Sequence, residues 1–432
     1  MTVPLLAPQI REVRDDAALR LYGVALALTH ALSMLFWRQT GAVSFLGKGA
    51  DAICWPLVPD CETLRVLSTG QLAWALRGYF GISLVVAVLF VFRRSAGVAY
   101  AGLAALTLGK LVFLALDFRL RLNQHYMVLW ISMVFLLLPE KRDALRLLLV
   151  LFYVWASTLK FNAEWLSGAD LAGPLWLVPS AWTTAACLYV IVLELGVSWG
   201  LLAARGWIFW GALAQFVLFH AMSWSQVGFF FPTVMALLLS IFPLARLIPA
   251  SPGATVPIRT PHRASSPLAA LVHLHLPAST YALLIGFSLL QFLPALIPGD
   301  AALTGEGRPF ALHMVDARVG CRGWAKVYHR DGSVSEVGLT GGTALRIACD
   351  PIVIVERARN ICRHRSELTH DALELDLHLL SRRMAEPALR RVIDLPGFCA
   401  RRIRYNPFWH NGWILIGSKS DAALTEQKRL NP

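Results

Sequence analysis

A lysine followed by polar and aromatic residues ends one of the long apolar runs of this chain. Lys160 is followed by Asn162, Glu164 and Trp165. Such a lysine can extend its amine to water and pair with Glu164, four residues on. It can also lie desolvated inside a helix bundle, where burial disfavours the charged form and leaves a neutral amine able to act as a base. The sequence leaves both interpretations open.

Two histidines stand at comparable places. His125 follows Asn123 and Gln124 at the start of one apolar run, and His220 ends another, before a polar stretch that includes Gln226. The first group is either a polar cap at the membrane interface or part of a site. The second either makes hydrogen bonds between helices or belongs to the same site. Ionisable groups at membrane depth are costly, so they are candidate functional residues.

The elements that must position these residues are membrane helices. The chain of 432 residues is 56% hydrophobic and 16% charged, with a mean hydropathy of +0.55. Each crossing needs about 20 apolar residues. Eight to nine spans are predicted, since the fourth and fifth are short, at residues 18–38, 72–92, 96–116, 125–139, 143–158, 181–203, 206–221, 226–246 and 278–297. We therefore predict a transmembrane helical domain over 1–297, with a cytoplasmic linker at 246–277 rich in Pro, Ser and Thr.

Lysine and arginine in the short loops predict the orientation. With the N-terminus in the cytoplasm, Arg93, Lys141 and Arg205 fall inside, whereas Arg119 and Arg121 fall outside as the one discordant loop. Nine helices then place the C-terminal domain outside the cytoplasm, and His125, Lys160 and His220 near the outer leaflet. We expect a bacterial inner-membrane protein without a cleaved signal peptide. On the first predicted span, Arg20 is interpreted as an anchor at the cytoplasmic interface. No feature of the sequence favours a particular role for His30.

Residues 298–432 form a predicted small α+β domain outside the cytoplasm. Alternating segments around Asp331-Gly332 predict a β-hairpin over 324–338. Residues 350–364 and 370–385 show helical spacing. Six cysteines lie in segments predicted to be outside, where they either form disulfides or are mostly reduced and buried, and no pairing is readable from sequence. They are Cys54, Cys61, Cys321, Cys349, Cys362 and Cys399.

The net charge of +13 does not indicate a nucleic-acid partner. Much of it is loop charge of the positive-inside type, and no nucleic-acid signature accompanies it. Metal-binding spacing, a nucleophile elbow, a P-loop and a dinucleotide fingerprint are also missing from the sequence. We expect no metal. Arg357, Arg359, Arg363 and Arg365 are either a solvated basic helix face or a surface that attracts an acidic peptide.

Four segments resemble the vitamin K-dependent gamma-carboxylase family and its bacterial relatives, the horizontally transferred transmembrane (HTTM) proteins. Residues 123–126 are similar to an Asn-Asn-His segment of the family, with Gln124 in place of its second asparagine. Residues 160–168 are similar to its Lys-Leu-x-x-x-Trp-x-x-Gly segment. Phe219-His220 and Phe231-Pro232 are similar to its Phe-His and Phe-Pro helix pair. Residues 310–314 and 327–338 are similar to a stretch of its outer domain that contains Tyr-Arg-Asp-Gly.

The resemblance implies a reaction. A reduced quinone, vitamin K or a menaquinol-like quinol, is deprotonated by an uncharged lysine, reacts with O2 and becomes an epoxide. A strongly basic oxygenated intermediate removes a γ-proton from a peptide glutamate, and the carbanion adds CO2. Lys160 matches the base, His125 the histidine that hydrogen-bonds the intermediate, and His220 a second site histidine. Asn123, Gln124, Asn162, Glu164, Trp165 and Gln226 are the expected binding residues.

Two classes of function remain. The first is a membrane carboxylase and epoxidase whose partners are the lipid bilayer, a lipophilic quinol and a glutamate-containing peptide. The second is a relative without carboxylase activity, such as a peptide-maturation or immunity factor or a quinone- or lipid-binding protein. The chain is much shorter than the animal enzymes, so most of their propeptide-binding region is missing or reduced. Lys160 and His125 discriminate between the two, because a scaffold needs neither.

Overall fold

A computed structural model of the protein describes residues 7–58, 60–249, 276–313, 318–341, 345–368 and 372–416. Within them, seven helical stretches are long and apolar enough to cross a membrane, and a small antiparallel sheet follows them in the chain. The chain is therefore a polytopic helical membrane protein with an added C-terminal sheet unit. The seven stretches are Ala17–Gln39, Thr69–Val91, Arg93–Leu116, Ser180–Leu202, Gly206–Val227, Phe230–Leu247 and Ala278–Leu296.

The helices up to residue 296 form one bundle around a common apolar core. Their bounds are α1 Ala7–Asp15, α2 Ala17–Gln39, α3 Ala42–Leu46, α4 Thr69–Val91, α5 Ala96–Leu116, α6 Asn123–Leu137, α7 Lys141–Thr158, α8 Ala163–Ser167, α9 Thr183–Leu195, α10 Gly206–Val227, α11 Phe230–Leu239, α12 Ile241–Leu247 and α13 Ala278–Leu296. Most of the predicted linker at 246–277 lies outside the described residues.

Local sequence explains several helix ends. Asp16 caps α2 by accepting hydrogen bonds from the backbone N–H groups of Ala18 and Leu19. Ser68 and Gln71 form a capping box at the start of α4. These caps satisfy backbone donors that the first turn of a helix leaves without partners.

Two of the predicted spans, α6 and α7, are not among the seven long apolar stretches. Helix α6 has only 15 residues and buries most of them. Helix α7 begins with Lys141, Arg142 and Asp143, and then buries an almost continuous apolar stretch. Both pack against other helices of the bundle rather than standing apart from it.

The predicted spans 206–221 and 226–246 place the turn between them too early. Helix α10 continues through Ser223, Ser225 and Gln226 and ends at Val227. The turn follows at Gly228, whose φ of 74° is a conformation that glycine adopts without strain. The serine hydroxyls accommodate the helix by bonding to backbone carbonyls three residues earlier.

The C-terminal unit is a four-stranded antiparallel sheet in the order β2-β1-β3-β4, accompanied by helices before β1 and between β2 and β3. The predicted hairpin is confirmed, since β1 pairs with β2 across the turn at Asp331 and Gly332. Its elements are α14 Ala301–Thr304, β1 Val319–His329, β2 Val334–Gly338, α15 Leu345–Ala348, α16 Pro351–Leu368, β3 Ala372–Arg383 and β4 Arg390–Leu395.

The helix predicted at 370–385 is wrong, because this segment is strand β3. Leu375, Leu377 and Leu379 are buried on one face of the sheet. An apolar residue at every second position is the pattern of a strand. The same segment also has apolar residues at helical spacing, and this second pattern gives the wrong prediction. The helix predicted at 350–364 is confirmed by α16.

Disulfides crosslink the sheet unit and the adjoining end of the bundle, each within itself, and an apolar contact joins the two parts. The six cysteines pair as Cys54–Cys61, Cys321–Cys349 and Cys362–Cys399. Ile53, Phe118 and Leu122 of the bundle pack against Ile352 and Val353 of α16. The sheet unit therefore sits on the end of the bundle at which α7 stops and α8 begins.

Candidate active site

A cavity of about 520 Å³ lies between α6, α8, α9, α10 and the loop that joins α8 to α9. This volume falls in the range of small-molecule sites, about 300–1,000 Å³. Most of its lining is apolar, from Leu171, Val190, Leu218, Met222 and Phe231 among others. Its charged groups are Lys160, Asp170, Glu194 and Arg318, which together with Asn123 and Gln124 are called its polar end; Tyr189, Gln215, Ser223 and Gln226 add further polar groups to the lining.

A buried lysine and a buried glutamate meet at that polar end. Lys160 Nζ lies 2.6 Å from Glu194 Oε2 and 3.0 Å from the carbonyl oxygen of Ala156. The two side chains are 3% and 2% exposed. Glu194 belongs to the apolar stretch Ser180–Leu202, one of the candidate membrane spans, and the ion pair joins this stretch to the end of α7. The pair is buried in a low-dielectric setting, and Glu194 without its lysine partner would be strongly destabilising.

The predicted pairing of Lys160 with Glu164 does not occur among the described ion pairs. Helix α7 ends at Thr158, and Asn162 then caps the separate helix α8 by accepting from the backbone N–H of Trp165. Because no continuous helix joins residues 160 and 164, the i,i+4 relation fails. Glu164 instead contacts Arg383 of β3 at 3.3 Å.

Helix α8 supplies the wall beside the lysine. Lys160 Nζ lies 5.3 Å from the centroid of the Trp165 ring, within the range of a cation–π contact. The Trp165 indole N–H donates to the carbonyl oxygen of Cys187, which fixes the ring against α9. Gly168 ends α8 with a φ of 79°, and the chain turns from there into the loop that covers the cavity.

The sheet unit covers the polar end. Arg318 lines the cavity and donates to the carbonyl oxygen of Asp170. Arg383 bonds both oxygens of Asp300, at 2.6 and 2.7 Å, and also contacts Glu164. Burial acts to raise the pKa of Asp300, but the hydrogen bonds and charge of Arg383 hold that pKa below its ordinary value. The sheet unit, which forms the roof of the cavity, is therefore connected to α8 by contacts between charged side chains.

The segment at 308–313 is held along α6 and α13 by side chains of the bundle. Asn123 exchanges two hydrogen bonds with the backbone of His313. Tyr126 donates to the carbonyl oxygen of Phe310 at 2.6 Å, and Gln291 accepts from the backbone N–H of Leu312 at 2.8 Å. This is part of the segment that resembles the outer-domain stretch, and it lies directly beside the cavity wall.

His125 and His220 are buried next to the cavity but are not among its lining residues. His125 Nε2 accepts from the indole N–H of Trp37 at 3.1 Å. His220 Nε2 lies 2.8 Å from the hydroxyl of Tyr153. Of the three residues that the sequence places in one site, only Lys160 therefore lines the cavity.

Only some of the predicted binding residues line the cavity. Asn123, Gln124, Trp165 and Gln226 line the cavity, whereas Asn162 and Glu164 do not. Asn162 acts as the cap of α8. Gln226 bonds the backbone of Ala172, Gly173 and Pro174, so it fastens the covering loop as well.

The cavity reaches the outer surface of the bundle between α9 and α10. Two of its lining residues, Tyr189 and Leu218, are 48% and 60% exposed there. The Tyr189 hydroxyl donates to Gln215 Oε1 at 2.6 Å across this opening. Both helices belong to candidate membrane spans, so the opening faces lipid.

The sequence analysis missed two ionisable groups. Glu194 is the only acidic residue in the apolar run 181–203, and Lys110 is the only charged residue in the run 96–116. Lys110 is fully buried, and its Nζ donates to Ser33 Oγ at 2.9 Å. Each run is apolar enough to be predicted as a span. The single charge within it is the signal that marks a candidate functional residue.

Over the described ranges, no group of His, Cys, Asp and Glu side chains could hold a metal ion. Comparisons with protein-family models, with curated proteins and with solved structures found no match to this chain.

Proposed function

We propose that the protein is a membrane enzyme that oxygenates a reduced lipophilic quinone and couples this to γ-carboxylation of glutamate in a peptide. One observation carries the proposal: a buried lysine with a carboxylate partner stands at the polar end of an apolar cavity that opens toward lipid. A quinol with a polar head and an apolar tail fits that distribution of polarity. The resemblance of residues 123–126 and 160–168 to the gamma-carboxylase family supports the same reading.

Lys160 is the proposed base. To take a proton from a quinol hydroxyl, the amine must first be neutral. Glu194, in direct contact, is the group that receives the proton of Lys160. In a low-dielectric site a neutral amine beside a protonated carboxyl competes with the ion pair, because both charges have lost their water. The pair therefore stores a proton next to the quinol head.

The overall reaction balances without a metal. One quinol, one O2, one glutamate and one CO2 give one epoxide, one water and one γ-carboxyglutamate. The quinol supplies the electrons that reduce the second oxygen atom to water. The chain contributes the base at Lys160, hydrogen-bonding amides at Asn123 and Gln124, and an apolar wall that keeps bulk water away.

The peptide approaches from the side of the sheet unit in this proposal. We infer nine crossings, with α6 and α7 as the two that length and charge obscure, and a bacterial inner-membrane location with the N-terminus in the cytoplasm. The sheet unit then lies outside the cytoplasm, where its disulfides are stable. An acidic peptide would meet Arg318, which lines the cavity at its roof.

The arginines of α16 are less available to a peptide than the sequence suggests. Arg357 donates to the carbonyl oxygens of Leu339 and Gly341, and Arg359 and Arg363 contact Glu356 and Glu62. The side chain of Arg365 lies outside the described residues. These contacts favour a role for α16 in holding the sheet unit on the bundle.

The test supplies purified protein in nanodiscs with reduced vitamin K or menaquinol, O2, ¹³C-bicarbonate and a glutamate-rich peptide. The proposal expects quinone epoxide and ¹³C in the peptide in equal amounts. Epoxide without peptide labelling would keep the oxygenation and reject the carboxylation. Tight quinone binding without epoxide would favour the alternative, a quinone- or lipid-binding relative or a peptide-maturation or immunity factor.

A further inference from the structure

The segment that follows α13 turns back along the last turns of this membrane helix. A Cβ added to Gly307 would lie 2.7 Å from the backbone Cα of Pro294, so the two stretches of chain touch there. Further along, the backbone N–H of Leu312 donates to Gln291 Oε1 at 2.8 Å. Gln291 lies about 7 Å before the end of α13, at 1.5 Å per residue. The segment therefore returns to the level of the last turns of an apolar membrane span.

A turn at residues 406–411 of the sheet unit, here called the aromatic turn, packs against that segment. The ring of Phe408 stacks on the ring of Phe310, with centroids 5.4 Å apart and an interplanar angle of 17°. Phe310 is itself held by α6, because its carbonyl oxygen accepts from the Tyr126 hydroxyl at 2.6 Å. The aromatic turn therefore lies beside the ends of membrane helices, although it belongs to the sheet unit.

Hydrogen bonds to a buried carboxylate fix the shape of the aromatic turn. Glu306 Oε1 accepts from the backbone N–H of Asn411 at 2.6 Å and from its side-chain amide at 2.8 Å. Asn411 Oδ1 accepts from the backbone N–H of Asn406 at 2.6 Å, which closes the turn. The side chains of Phe408 and Trp409 at its tip are 45% and 72% exposed. A rigid turn therefore presents two large aromatic side chains outward.

The surface around the aromatic turn has the composition of a membrane interface. Phe292 and Leu296 near the end of α13 are 50% and 75% exposed, so the lipid-facing surface of this span continues up to the segment that carries the turn. Three exposed arginines precede the turn, and they are Arg401, Arg402 and Arg404. Tryptophan is enriched where a bilayer meets water, and basic side chains beside it are attracted to lipid phosphates. A protein partner would have to displace the lipid that covers α13.

We propose that the aromatic turn is an interfacial anchor: Phe408 and Trp409 insert into the bilayer beside α13 and hold the sheet unit on the membrane. The inference rests on the membrane spans and on these contacts, and not on the proposed reaction. Moving exposed aromatic side chains into lipid is favourable because it removes apolar area from water. Arg383 and Glu164 connect the sheet unit to α8, and the turn attaches it beside α13, so the roof of the cavity is held at two places.

The first experiment locates the turn with a fluorescent label in nanodiscs that hold one chain each. Cys187, the free cysteine, is replaced by alanine, and Trp409→Cys carries an environment-sensitive NBD group. Nitroxides on the lipid acyl chains are expected to quench this label about twofold. Val334→Cys is the matched control and should stay unquenched. Val334 is 51% exposed and pairs with Tyr328 at the far end of β1, about 30 Å along the strand from Arg318.

A label at position 409 that is not quenched, or equal quenching at positions 409 and 334, would overturn the proposal. A label at 409 that is shielded from water but not quenched by lipid nitroxides would show a protein contact, and it would overturn the proposal as well.

The second experiment tests whether the lipid contact holds the sheet unit. Trp409→Ser removes the most exposed aromatic side chain of the turn and keeps the stacked ring of Phe408. Hydrogen exchange of the backbone amides in 308–313, measured in nanodiscs, is expected to rise roughly tenfold. Val334→Ser, which removes an exposed apolar side chain far from the bundle, should leave this exchange unchanged. Unchanged exchange in Trp409→Ser would overturn the anchoring role.

Discussion

Lys160 and Glu194, which are 34 residues apart in sequence, make a 2.6 Å contact between Nζ and Oε2 on the wall of the cavity. The lysine follows α7 and the glutamate ends α9, so the contact joins two helices. Removing Lys160 would leave Glu194 buried in a low-dielectric site without its described ion-pair partner.

Lys160→Met should destabilise the bundle by about 3–5 kcal/mol, because Glu194 keeps its burial and loses the described ion-pair partner. Glu194→Leu should also destabilise the bundle, because it removes the 2.6 Å contact with Lys160 Nζ. The double variant should recover most of the loss, since an apolar pair of similar volume is often as stable as a buried ion pair. Unfolding in mixed micelles of increasing denaturing detergent measures all three. Additive single losses in the double variant would mean that the two residues are not coupled.

Lys110→Met, unlike Lys160→Met, should not destabilise the bundle. The described residues include no carboxylate in an ion pair with Lys110, and its Nζ donates to Ser33, whose hydroxyl also donates to the carbonyl oxygen of Thr29. Methionine keeps the length of the side chain and removes the polar group, so stability should stay equal or rise by about 1 kcal/mol. The same detergent titration tests it. A loss comparable to that of Lys160→Met would show that Lys110 has a charged partner.

The opening between α9 and α10 should matter for long-tailed quinones and not for the tail-less head group. Leu218→Trp places a larger ring at the opening, so binding of a long-tailed quinone should weaken by about tenfold, while a tail-less naphthoquinone should bind as before. Val217→Trp is the matched control, because Val217 is 58% exposed on the same helix and does not line the cavity. Equilibrium binding of radiolabelled quinones to the protein in nanodiscs follows both ligands. Equal weakening for both quinones would place the entrance elsewhere.

The junction between the sheet unit and the bundle should lose stability as pH rises from about 4 to about 6. Burial raises the pKa of Asp350 to about 6, and Arg121, 3.8 Å away, offsets this only in part. A carboxyl whose pKa is higher in the folded state binds its proton more readily there, so its contribution is full below its unfolded pKa and is lost through the folded value.

The matched variant for this pH effect is Asp350→Asn, which keeps the oxygen that accepts from the backbone N–H of Ile352 at the start of α16. Thermal unfolding, followed between pH 4 and 7, should show a smaller decline in the variant than in the wild type. Equal declines would assign the effect to other groups.

The sequence predicts the spans because hydropathy over about 20 residues is a local property. It places the turn after α10 too early, since Ser223 and Gln226 look like turn residues but bond within the helix and to the covering loop. It misses the partner of Lys160 because Glu194 comes close only through the packing of α7 against α9. It groups His125 with Lys160, yet Trp37 holds the histidine behind the cavity wall, and no spacing in the sequence relates residues 37 and 125.

The most direct test of the account is epoxide formation from reduced vitamin K and ¹⁸O2 by purified protein in nanodiscs, comparing Lys160→Met with Lys141→Met. Lys141 is the matched control, because it is also buried, lies at the other end of α7 and pairs with Glu12 at 3.6 Å. The account predicts one ¹⁸O atom per epoxide from the wild type and from Lys141→Met, and no epoxide from Lys160→Met protein that is still folded. Undiminished epoxide from Lys160→Met, or none from the wild type with either vitamin K or menaquinol, would contradict it.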